Sequence, residues 1–77
     1  MSNLSVKPVA SNMTLVDTNQ YIVLFSYSTP VASFDKSKCD FFKTNKKWSK
    51  TTSRHINKWL DGVKAQEMPQ TYFDSLL

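Results

Sequence analysis

At 77 residues the chain has room for one small domain, and a fold of that size buries only about 60% of the surface its unfolded form exposes. Cys39 is the sole cysteine and His55 the sole histidine, which excludes an internal disulfide and argues against a structural zinc site, which usually needs four ligands. The net charge of +4 is unevenly spread: residues 36–58 hold eight lysines and arginines against Asp40 alone, and the remainder is mildly acidic. Packing of aromatic rings has to supply the stability, and the basic centre would attract phosphates or acidic protein surfaces unless its lysines serve solubility alone.

Residues 1–12 are polar, interrupted by Pro8 and without a sustained period. They are expected to form a flexible N-terminal arm, with residues 13–77 making a single small α+β domain. They lack the apolar stretch of a secretory signal. No run of about 18 apolar residues occurs in the chain, so no membrane contact is expected.

Met13–Val16 predicts a short strand, followed by the turn residues Asp17, Thr18 and Asn19. Gln20–Tyr27 is the strongest predicted strand, rich in β-branched and aromatic residues and apolar enough to be covered on both faces. Pro30 marks a strand start, an edge or a bulge. Val31–Phe34 resumes as strand, 35–38 reads as a polar turn, and 39–44 as a returning strand. The short links suit an antiparallel meander of three or four strands.

After the loop Asn45-Lys46-Lys47 comes the main predicted helix, about 50–61, packed across one sheet face. Ser49 or Thr51 caps its start. Ile56, Trp59, Leu60 and Val63 recur on one face of a 3.6-residue period, and Gly62, the only glycine, stands at the stop. Residues 63–68 read as a connector. Pro69 opens a short C-terminal helix whose stripe of Tyr72, Phe73, Leu76 and Leu77 docks on the core or on a second copy of the chain.

The inventory for catalysis is thin. A nucleophile needs an adjacent base and an orienting group, and no motif places Cys39, His55 and a carboxylate together. Cys39 is expected to be a small buried hydrophobe and His55 a helix residue bonding the sheet or the preceding loop. One glycine cannot build a phosphate-cradling loop, and the carboxylates are scattered. The chain is therefore read as a non-enzyme that uses no cofactor or metal.

Binding residues are the better prospect. Lys43, Lys46, Lys47, Lys50, Arg54 and Lys58 interleave with Phe41, Phe42 and Trp48, the pairing of cations and rings that single-strand nucleic-acid binders use. Lys50, Arg54 and Lys58 form an i, i+4, i+8 stripe on the helix. Exposed Tyr21, Phe25 or Tyr27 would add a stacking face to a small sheet. Ser49–Gly62 also has the local pattern of the second helix of a helix-turn-helix, yet the preceding residues read as strand and loop where that motif needs its first helix.

Two segments, Tyr27-Ser28-Thr29-Pro30-Val31-Ala32 and Trp48-Ser49-Lys50-Thr51-Thr52-Ser53-Arg54-His55-Ile56-Asn57-Lys58-Trp59-Leu60, resemble short bacteriophage proteins of uncharacterised function. Those carry a Thr-x-Val-Ala strand and an aromatic-Ser-x-Thr-Thr-Ser-x-His-Ile-Asn helix start. The resemblance spans about residues 20–62. It implies a phage origin and a compact β-plus-helix unit, and it carries over no activity. Expected partners are nucleic acid, or an acidic host protein that the chain inhibits or adapts. A virion accessory role is a third possibility. The lone thiol suits the host cytoplasm.

Overall fold

The computed structural model describes residues 5–10 and 12–76. The elements run β1 (Ser5–Ala10), β2 (Met13–Asp17), β3 (Tyr21–Ser26), β4 (Thr29–Asp35), β5 (Asp40–Thr44), α1 (Lys50–Leu60), β6 (Gln66–Met68) and α2 (Gln70–Asp74). They form one six-stranded sheet in the order β1-β2-β3-β4-β5-β6. The first five strands are an antiparallel meander, and β6 returns parallel to β5 after α1.

The α+β class, the main helix and the short C-terminal helix are as the sequence predicts. The three or four antiparallel strands are corrected to six in a mixed sheet. Both additional strands lie at sheet edges. β1 falls within the segment expected as an arm, where Val6, Lys7, Pro8 and Val9 are exposed and show no alternation to betray a strand. Proline is tolerated there because an edge strand leaves one row of backbone groups unpaired. β6 is three residues, Gln66, Glu67 and Met68, too short to show a period. It exists because α1 brings the chain back alongside β5, a connection that parallel pairing requires.

Pro30 stands opposite Phe25, where the β3–β4 register shifts after Leu24. The shift is a bulge at β4, and it puts consecutive Val31 and Ala32 into the same apolar cluster, which regular alternation forbids. That cluster (Met13, Leu24, Val31, Ala32) receives Ile56 and Leu60 from α1, with Leu15, Phe41 and Trp59 at its margin. Phe41 links Phe34, 4.7 Å away, to Trp59 at 5.6 Å.

The alternate register row, Val16, Val23, Ser33 and Phe42, faces the other side. There α2 contacts β4, with Phe73 only 1% exposed and the Tyr72 ring 5.6 Å from Phe42. Phe73 is thus committed to the chain's own core, and Tyr72 and Leu76 are half-buried. Leu77, the last residue of the predicted stripe, lies outside the described residues. Burial pushes the Tyr72 phenol above its ordinary value; negative charge at Tyr21 and Asp35 adds to this and the Ser33 hydroxyl opposes it.

Ser49 caps α1, its hydroxyl accepting from the Thr52 N–H at 3.3 Å. The helix stops at Leu60, with Asp61 left-handed at φ 48° and its N–H donating to the Asn57 carbonyl. Gly62 follows at φ 84°, so the stop takes two successive left-handed residues. Val63 therefore falls beyond the helix and is exposed rather than on its apolar stripe. Cys39 is a second correction. It is exposed in the turn before β5, with a left-handed backbone at φ 56°, and is not a buried hydrophobe.

Candidate functional site

The chain from β5 to α1 builds an open cleft of about 220 Å³. Lys43 stands in register with Ala32, hence on the α1 side of the sheet, and is half-buried at the cleft wall. Lys46 and Lys47 enter from the loop that follows. Ser53 and Asn57, one turn apart on α1, supply the opposite wall, and Ile56 the floor between them. Glu67 sits beside Lys43 on the parallel strand β6.

The loop is held in place by its own short bonds. The Asn45 N–H donates to the Met68 carbonyl at 2.9 Å, extending the β5–β6 pairing. The Lys46 N–H donates to Thr44 Oγ1 at 3.2 Å. Trp48 donates its indole N–H to Gln70 Oε1 at 3.2 Å, and the Lys46 ammonium lies 4.3 Å from the Trp48 ring centre, a cation–π distance.

Of the six cations picked from sequence, the fold brings Lys43, Lys46 and Lys47 together in the cleft. Lys50, Arg54 and Lys58 remain outside it, exposed on the outer face of α1. Among the described residues the only ion pair is Lys36 with Asp17, so none of the six is neutralised by a carboxylate in contact. Cations crowded at a concave wall focus the field on an incoming anion. Ser53, Asn45 and Asn57 add neutral hydrogen-bonding groups, and Glu67 adds one acceptor.

The sequence did not single out Ser53, Asn57 or Glu67 as ligand groups. The spacing of four between Ser53 and Asn57 was a readable signal of a shared flank. Glu67 had none, because β6 itself was illegible. Tyr21 and Phe25 are half-buried, which leaves Tyr27 as the exposed ring of the three.

His55 takes a different part. Its Nδ1 lies 2.8 Å from Ser26 Oγ, which in turn lies 3.0 Å from Thr52 Oγ1. Ser26 is 2% exposed, so its hydroxyl is closed off from solvent. The trio ties the end of β3 to the first turns of α1, the helix-to-sheet contact expected of His55. No helix among the described residues is long and apolar enough to cross a membrane.

No curated protein and no solved structure matches the chain. A family model does match, over residues 4–75, which takes in every described strand and both helices. The chain therefore belongs to the family of unknown function DUF8033.

Proposed function

We propose that the protein is a small non-enzymatic binding protein that holds nucleic acid through the basic cleft and the outer cations of α1, in the phage setting that the sequence resemblance implies. The observation that carries this is the convergence of Lys43, Lys46 and Lys47 on one cleft beside Ser53 and Asn57. A phosphodiester backbone supplies what those groups lack, a compact anion with several acceptor oxygens. Trp48, at 36% exposure, offers a ring beside Lys46.

The test is fluorescence anisotropy with labelled single- and double-stranded oligonucleotides across a salt series. Binding is expected to weaken log-linearly with salt, and Lys46→Glu/Lys47→Glu to lower both affinity and slope. Absence of binding by the wild type at low salt, or an unchanged slope in the double variant, removes the proposal.

The exposed stripe Lys50, Arg54 and Lys58 favours a second reading. A cationic helix face outside any cleft also complements an acidic protein surface. Capture of a host protein that survives nuclease treatment of the lysate, and that is lost with Lys50→Glu/Arg54→Glu, supports this reading over the first.

A further inference from the structure

Tyr27 opens the turn between β3 and β4 with φ 58° and is 53% exposed. Glycine or asparagine holds such a left-handed turn position at least steric cost. A bulky aromatic kept there, with its ring in solvent, is an outlier of the kind that points toward function. The ring is braced. Its centre lies 6.0 Å from that of His55, whose own position is set by Ser26.

The cations of α1 connect this ring to the cleft. Each i+4 step around an α-helix advances about 40°. Lys50, Arg54 and Lys58 therefore wind from the flank of Ser53 and Asn57, which lines the cleft, toward the flank of His55, which meets Tyr27. All three are exposed along that path. The arrangement is a cleft for phosphate, a diagonal of cations and a presented ring at its far side.

We infer that Tyr27 is a nucleobase-stacking platform, and that the ligand is single-stranded nucleic acid running from the basic cleft along Lys50, Arg54 and Lys58 to the Tyr27 ring. The inference rests on the nucleic-acid reading above and narrows it to single strands, since a base paired inside a duplex cannot lay its face on a side chain.

The experiment compares wild type, Tyr27→Gly, Tyr27→Leu and Tyr27→Trp against short labelled single-stranded and duplex oligonucleotides, with thermal unfolding of each protein. Tyr27→Gly is expected to unfold at a higher temperature, because the left-handed backbone is relieved. It is also expected to bind single strands roughly 5- to 150-fold more weakly, the loss of one stacked base. Tyr27→Leu keeps apolar bulk against His55 and is expected to lose the same binding. Tyr27→Trp retains it, and duplex binding is unchanged throughout. If wild type binds, Lys46→Glu/Lys47→Glu weakens binding and the Gly and Leu variants bind single strands like wild type, the stacking role is wrong while the nucleic-acid reading stands. If wild type binds neither form at low salt, both fall.

Discussion

The side-chain amide of Gln70 donates to the Pro30 carbonyl at 2.6 Å, joining the first residue of α2 to the bulged start of β4. The same amide donates to Asp74 Oδ1 at 3.1 Å and accepts from Thr44 Oγ1 at 2.8 Å and from the Trp48 indole at 3.2 Å. One half-buried glutamine thereby uses both donors and both acceptor positions of its amide. It links a five-residue helix, too short to persist alone, to β4, to β5 and to the loop that carries Lys46 and Lys47.

Gln70→Ala is accordingly expected to cost about 1–3 kcal/mol, since it strands Thr44 and the Pro30 carbonyl in a partly buried setting. Gln70→Glu is expected to fare no better, because a carboxylate accepts from Thr44 and Trp48 but cannot donate to Pro30. Urea denaturation measures the loss, and Trp48 fluorescence should shift to the red as the loop comes free. Unchanged stability in both variants would refute the role given to this residue.

Ser33 is fully buried on the α2 side of the sheet, and its Oγ has no hydrogen-bond partner among the described residues. Ser33→Ala removes a desolvated hydroxyl at almost constant volume. It is expected to leave stability unchanged or raise it by up to about 1 kcal/mol. Urea denaturation checks this, and a clearly destabilised Ser33→Ala overturns it.

Asp35 is one contributor to the behaviour in acid. Its Oδ1 accepts from the Ser37 hydroxyl at 2.8 Å, the Ser37 N–H at 2.9 Å and the Lys38 N–H at 3.2 Å. The Ser37 hydroxyl is the largest influence holding this carboxyl below its ordinary value. Burial opposes it, and the Lys38 and Ser37 amides and the Lys38 ammonium assist. A folded-state pKa below the unfolded one means the contribution is complete above the unfolded value. It is lost as pH falls through the folded value. Asp35→Asn keeps the acceptor but does not titrate, so its urea midpoint should depend less steeply on pH on the acid limb. Equal slopes in wild type and variant would count against it.

Phe73→Ala is expected to cost about 3–5 kcal/mol, the penalty of emptying a closed aromatic site. In a chain of this size such a loss approaches the whole of the stability. Circular dichroism should report a largely unfolded protein at room temperature. A well-folded variant that has merely lost self-association would place Phe73 at an interface between copies.

Much of this fold was legible from local chemistry. Tyr21–Ser26 reads as strand because β-branched and aromatic residues crowd it, and α1 because Ser49, the Ile56–Leu60 stripe and the left-handed stop lie in order. The lysines of the cleft were legible too, since charge density survives without a structure. What the residues could not declare was β1, β6 and the exposure of Cys39. A strand at a sheet edge has one neighbour and little buried surface, so its sequence carries little hydrophobic pattern.

The sequence by itself determined which residues are cationic, where the central strands and helix lie, and that stability rests on apolar packing. Only the tertiary structure decided that Lys43, Lys46 and Lys47 share a cleft while Lys50, Arg54 and Lys58 stand outside it. The same holds for Glu67 beside Lys43, for the four partners of Gln70 and for the Tyr27 ring braced on His55. Periodicity encodes which face of an element is apolar. Contacts between elements distant in the chain are set by how those faces stack, by the bulge at Val31–Ala32 and by the return of the chain through α1. None of these leaves a repeating trace in the sequence.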